Sequence, residues 1–208
     1  FDAAVAKAIA FCNAHPDETL LIVTGDHETG GMTVGHATTG YTEYYGRLLG
    51  QTCSFQYFDD NIWPAHVAAF ASGHDWTKAN LESGDADAIA FTNLLETSFG
   101  LKYSTLNAYQ KEKLEDAYDK GMAATNNNPA AENTCLYGTY KPVSVTITHI
   151  LNENASVGWT SYSHTGVPVP VFATGFDSRR FEGFYDNTDI AKKVAAALRL
   201  SVTLPVEK

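Results

Sequence analysis

Leu20-Leu21-Ile22-Val23-Thr24-Gly25-Asp26-His27-Glu28-Thr29-Gly30-Gly31 is the stretch on which the fold reading turns. Its opening apolar run is short and bounded by turn residues, the pattern of a buried strand over 19–24. A carboxylate and an imidazole then emerge side by side at the C-terminal tip of that strand. Open α/β sheets gather their chemistry at that edge. Asp26 and His27 are natural ligands for a divalent metal such as zinc. Gly30 and Gly31 let the backbone turn away with no Cβ in the path of a ligand. An Asp-His dipeptide is common, and a turn cap is the bland reading of Asp26. The weight comes from the position of the pair, between a strand end and a Gly-Gly turn.

Upstream, Val5, Ile9 and Cys12 share one helical face with Ala8 between them, and His15-Pro16 stops the helix near Asn13-Ala14. Helix then strand is the unit of an α/β fold. The chain opens as a helix already under way, without an initiator Met, so a part upstream is expected. Downstream, Met32-Thr33-Val34 reads as a short strand or extended loop.

Composition shifts near Thr38-Thr39-Gly40, and 41–141 reads as helices and turns. Helices are predicted over Pro64–Ser72, over Asp85–Phe99 with Asp85 as N-cap, and over Thr105–Met122. In the last, Lys111 stands four residues before Glu115, a spacing that favours a pair. Asn126-Asn127-Asn128-Pro129 is a breaker. Val143–Ile150 alternates apolar and polar residues, which predicts a half-buried strand. Val157–Thr174 reads as a strand, a loop holding His164, and another strand. Phe176–Gly183 is loop with Arg179 and Arg180 exposed, and Asp186-Asn187-Thr188 caps a helix over Ile190–Leu200.

These readings give an α/β fold, a mostly parallel sheet sandwiched by helices and only partly represented. Three segments follow: a core segment 1–40 with the Asp-His motif, a helical insertion 41–141, and a core segment 142–208 with His164 and the last helix.

The chain of 208 residues is 44% hydrophobic and 12% aromatic, enough to bury a real core. A formal net charge of −10 without a basic block argues against a general nucleic-acid binder, though not against an anionic substrate. No apolar run is long enough to span a bilayer. Of the three cysteines, Cys12 reads as a buried thiol on the helix face. Cys53 and Cys135 stand in polar loops and are available to pair in an exported protein; connectivity is not legible in sequence.

Three motifs together carry a family resemblance. Thr24–Gly31 resembles the second metal-binding motif of bacterial alkaline phosphatases. Ser163-His164-Thr165-Gly166, followed by Val167-Pro-Val-Pro-Val-Phe-Ala173, resembles their distal histidine segment, and Asp186-Asn-Thr-Asp-Ile190 the start of their last helix. The resemblance implies two zinc ions and a magnesium around a serine nucleophile. It implies Asp26 and His27 on the zinc that activates the serine, and His164 on the other. Two cations a few ångströms apart can clamp the entering and leaving oxygens of an in-line displacement. The family's serine, phosphate-binding arginine, magnesium ligands and first zinc-ligand cluster normally precede the segment matched here, so no catalytic nucleophile is assigned. Thr29 stands where some members carry a further histidine.

The function implied is that of the C-terminal part of a zinc-dependent phosphomonoesterase working through a phosphoserine. Its expected partners are a phosphate monoester, the missing N-terminal half and a second copy in a homodimer; its expected location is periplasmic or secreted. The competing readings are a related phosphodiesterase, sulfatase or mutase, and a non-catalytic metal-binding or assembly module. Elsewhere bland roles are expected: His15 and His36 at the surface, His66 and His74 structural, His149 hydrogen-bonded on its strand, Arg179 and Arg180 solvated, Trp159 and Tyr162 packing.

Overall fold

A computed structural model describes residues 1–201 and 204. In chain order its helices and strands are α1 (Asp2–Ala14), β1 (Leu20–Thr24), β2 (Thr33–Val34), α2 (Phe55–Tyr57), α3 (Trp63–Phe70), α4 (Ala86–Phe99), α5 (Ala108–Ala123), α6 (Ala130–Tyr137), α7 (Pro142–Asn154), β3 (Val157–Gly158), β4 (Val171–Gly175) and α8 (Thr188–Ala197). They divide between two compact units, 1–29 with 164–208, and 30–163. The compact units thus change over at Thr29/Gly30 and Ser163/His164, and residues 30–40 and 142–163 belong with the helices.

The first unit is built on one strand pair. β1 and β4 run antiparallel, with Leu20 opposite Gly175 and Thr24 opposite Val171. The mostly parallel sheet expected from the sequence is therefore corrected: both strand pairs among the described residues are antiparallel. Leu20–Val23 are also half-buried rather than fully enclosed. α1 lies against this pair and ends where expected, at Ala14. Its one buried side chain is Cys12, whose thiol lies 3.8 Å from the Thr19 carbonyl and 3.7 Å from that of Thr174. Gly175 is required at this seam. Its φ is +90°, and a Cβ there would stand 2.2 Å from the Thr19 carbonyl oxygen and 2.6 Å from the Cys12 sulfur. Farther along, Ser178–Phe181 forms a 3-10 turn, and the Asp186 carboxylate accepts from the Thr188 amide and hydroxyl at the start of α8.

The second unit is mostly helical. Phe58, Phe91, Leu95, Phe99, Tyr118 and Ile147 are fully enclosed at its centre. Asn107 and Gln110 close a capping box on α5, each side chain bonding the other's backbone amide. The expected Lys111–Glu115 pair does not form. Lys111 reaches Glu82 at 2.9 Å, while Glu115 accepts from the amides of Asn80 and Leu81. Cys53 and Cys135 are free thiols, not a disulfide.

The strand expected over Val143–Ile150 is a correction. This segment lies inside α7, a helix with Pro142 in its first turn, where a missing N–H costs nothing. Val143 through Ile147 are all buried, and Ile150 and Leu151 with them, so the alternation does not sort core from solvent. Two of the polar residues of the alternation bond within the protein. The Ser144 hydroxyl reaches the Asp59 carboxylate at 3.1 Å, and the Thr148 hydroxyl reaches the Val145 carbonyl at 2.9 Å. α6 was not anticipated; it begins directly after the predicted breaker, with Pro129 as N-cap.

A polar network is enclosed beside the aromatic core. His66 Nε2 lies 2.9 Å from the Tyr118 hydroxyl, which in turn reaches Asp87. His74 Nε2 lies 2.7 Å from Asp119 Oδ1, both side chains being almost wholly enclosed. Burial lowers the His74 pKa and pushes the Asp119 carboxyl up to about 7, with Glu115, Asp116 and Asp75 adding repulsion. An unfolded Asp titrates near 3.9, about its model-peptide value. Between these two values the folded chain holds a proton the unfolded chain has lost, so this carboxyl's contribution to stability declines as pH rises through the window.

Two outcomes are expected. Gly175→Ala should lower the melting temperature by roughly 5 °C or more, measured by circular dichroism, because both strain and collision arise at one position. Asp119→Asn should gain on the parent as pH rises from 5 to 8, the difference in melting temperature widening by roughly 5 °C. A pH-independent difference would mean that Asp119 does not hold the extra proton.

Candidate metal centre

The antiparallel register explains how residues far apart in sequence meet. Thr24, the last residue of β1, is opposite Val171, the first of β4. The loop leaving β1 and the loop entering β4 therefore open at the same end of the ladder. The Thr24 hydroxyl extends the pairing by donating to the Pro170 carbonyl at 3.0 Å. Pro168 and Pro170 favour an extended approach to β4.

At this end the structure brings Asp26, His27 and His164 together. The His27 and His164 rings stack with centroids 3.5 Å apart and planes inclined by 24°. Asp26 Oδ2 is 3.3 Å from His27 Nε2. The site is open: the side chain of Asp26 is 88% exposed and that of His27 42%. Neither side chain is held by a surrounding core, so local bonds must orient them.

His27 Nδ1 lies 2.8 Å from the Glu28 carbonyl oxygen. A carbonyl only accepts, so Nδ1 carries the proton. In the neutral ring Nε2 then presents its lone pair, and it faces a carboxylate oxygen. Two acceptors at this distance repel one another, and a metal ion held between them would relieve that repulsion. The spacing is also that of two ligands on a tetrahedral zinc, about 3.3 Å for bonds of about 2.0 Å. A backbone carbonyl on the opposite ring nitrogen is the usual support of a metal-binding imidazole. The donor set thus fits zinc. Among the described residues no group of three or more His, Cys, Asp or Glu side chains, Asp26, His27 and His164 included, is arranged to hold one metal ion.

Glu28 and Thr165 were not singled out from sequence as contributors to this site. The Glu28 Oε2 accepts from the Thr165 amide at 2.8 Å and from the Thr165 hydroxyl. The available signal was adjacency: each residue directly follows one of the two histidines. Thr29 is exposed.

The remaining histidines lie apart from this pair in bonding. His15 is exposed against the Phe11 ring, and His36 Nδ1 is 2.8 Å from the Thr38 hydroxyl. His66 and His74 serve the enclosed network. His149 lies on a helix, not a strand; it stacks on Tyr162 and lines a cavity of about 240 Å³ with the Lys113–Glu153 ion pair. Burial lowers its pKa. Trp159 packs on Gly30, where a Cβ would stand 2.9 Å from the Ser161 carbonyl oxygen and 3.2 Å from the indole. Arg179 and Arg180 are exposed, and Arg180 pairs with Asp177.

A sequence profile described as alkaline phosphatase matches residues 1–200. The chain belongs to the alkaline phosphatase family. It is 28% identical over 204 residues to alkaline phosphatase 3 of Bacillus subtilis (strain 168), a match covering 98% of this chain and 35% of that protein. Alkaline phosphatase of Schizosaccharomyces pombe is 25% identical over 192 residues, covering 90% of this chain and 29% of its own. Among solved structures, a cold-active alkaline phosphatase from a psychrophilic Shewanella superposes with a TM-score of 0.58 at 25% identity, over 94% of this chain and 37% of that one. The chain thus has the α/β fold of part of an alkaline phosphatase, and it spans about a third of the length of the relatives it matches. No described helix is long and apolar enough to cross a membrane.

One expected outcome concerns the tautomer. Nitrogen NMR of the neutral His27 ring should find the proton on Nδ1; an Nε2–H tautomer would remove the lone pair from the side that faces Asp26.

Proposed function

We propose that this chain supplies part of the zinc site of an alkaline phosphatase that hydrolyses phosphate monoesters through a phosphoserine. The observation that carries this reading is the meeting of Asp26, His27 and His164 at one end of the β1–β4 ladder. Asp26 and His27 would hold the zinc that activates the serine, and His164 the second zinc. When bound, the pair of zinc ions would supply Lewis-acid stabilisation to the oxygens that enter and leave phosphorus. A magnesium ion belongs to the same reading, with no ligand for it assigned in this chain.

The part played by the chain's own residues is positioning. The Glu28 carbonyl fixes the His27 ring so that Nε2 points to Asp26. The carboxylate of Asp26 brings negative charge, which favours a cation there and not a bare phosphate. The nucleophile and the phosphate-binding arginine are outside the residues assigned here. On this reading the chain alone is inactive, its partners are a phosphate monoester, the remainder of the enzyme and a second copy, and the enzyme works in the periplasm or outside the cell.

Zinc titration by calorimetry tests the ligands directly. Two ligands on one ion and one on the other make weak sites, since zinc sites normally use about three or four protein ligands. Binding should therefore be weak, and His27→Ala should weaken it at least about tenfold. On a chromogenic phosphate monoester with zinc and magnesium, the chain alone should show no turnover above that of the free metals. Zinc binding indifferent to His27→Ala, or turnover that is lost on that substitution, would each overturn part of the reading.

A further inference from the structure

We infer that Glu28 and Thr165 form a clamp that sets the position of His164 relative to His27. The functional meaning of the clamp rests on the two histidines being metal ligands; its existence does not. Glu28 directly follows His27, and Thr165 directly follows His164. One carboxylate oxygen of Glu28 accepts both the Thr165 amide, at 2.8 Å, and the Thr165 hydroxyl. Backbone and side chain of the residue beside one histidine are thus tied to the residue beside the other. Hydrogen bonds to an ionised carboxylate are roughly twice as strong as neutral ones, and a bond to an amide also fixes the direction of the chain.

The need for such a tie follows from exposure. His27 and His164 are both exposed, so no surrounding core dictates where either ring lies. The ladder itself ends at Thr24 and Val171, and its last tether is the Thr24 hydroxyl on the Pro170 carbonyl. Five residues separate His164 from Pro170, with Gly166 among them. A segment of that length and composition does not by itself hold a ring 3.5 Å from another. The Glu28–Thr165 bonds lie one residue from each ring. Glu28 and Thr165 are therefore positioning residues. They join two loops so that the donors of separate loops are already in register when a cation arrives, which is how residues beyond the ligands raise metal affinity.

The test begins without metal, on the full 208-residue chain. In the parent, proton NMR should show through-space contacts between the His27 and His164 rings. Glu28→Ala should abolish them, and Thr165→Val should weaken them. Thr165→Ser, which keeps the hydroxyl, should retain them. Contacts between Ile22 and Ala173 across the ladder show whether β1 and β4 remain paired; if Glu28→Ala loses these, Thr165→Val against Thr165→Ser decides. Ring contacts that persist in Glu28→Ala with an intact ladder overturn the clamp, as does equal behaviour of the Val and Ser variants. With zinc added as the probe, affinity should fall about tenfold in Glu28→Ala and stay at the parental value in Thr165→Ser. If the ring contacts follow the clamp but zinc binding ignores His27, the clamp stands and the metal reading fails.

Discussion

The antiparallel pairing of β1 with β4 is the constraint on which the candidate site depends. Five residues of one strand face five of the other, and the pair ends with Thr24 opposite Val171. Reverse the direction of β4 and the loop carrying His164 would leave from the far end, a strand length from Asp26. The ladder is supported from one side by α1 through Cys12 and from within by Gly175, whose missing side chain lets the Thr19 carbonyl approach. A slip of one residue would turn every side chain of β4 to the opposite face and carry the histidine loop along with it.

Support becomes finer toward the site. Backbone pairing fixes the strands, a threonine hydroxyl carries the pairing one residue beyond the ladder, and a carboxylate joins the loops. At the tip, the Glu28 carbonyl selects which nitrogen of His27 faces Asp26. The carboxylate bonds are half-buried, whereas the Thr24 hydroxyl bond and the His27 ring bond lie exposed. Such support suits a site that binds a cation, because the acceptors brought together there repel one another in its absence.

Much of this was legible in sequence. The apolar run before Asp26, the helix stop at His15-Pro16 and the cap at Asp186 are local signals, and local physics decided those elements. The candidate ligands were legible through a motif rather than through spacing. Strand direction was not legible, because pairing is set by a partner far along the chain. α7 misled for a related reason: β-branched alternation marks a strand only when one face meets solvent, and this segment is buried nearly all round. Pro142 at its start was the contrary cue. Lys111 chose Glu82 over Glu115 because Glu115 is occupied by the amides of Asn80 and Leu81. Glu28 was overlooked as the neighbour of more obvious ligands.

The two strands of the ladder also bracket the whole second unit, Gly30–Ser163, within the chain. Their contacts have very high sequence separation, so forming them closes a long loop. The entropy of that closure grows only with the logarithm of length, about 0.6 kcal/mol for each doubling. Residues can therefore be added to or removed from the intervening unit at slight thermodynamic expense to the ladder. The rate is another matter, since pairings of high contact order form slowly. A fold arranged in this way tolerates wide variation in the size of its insertion. The limit on that variation is set by how fast the two strands find each other, more than by how firmly they hold.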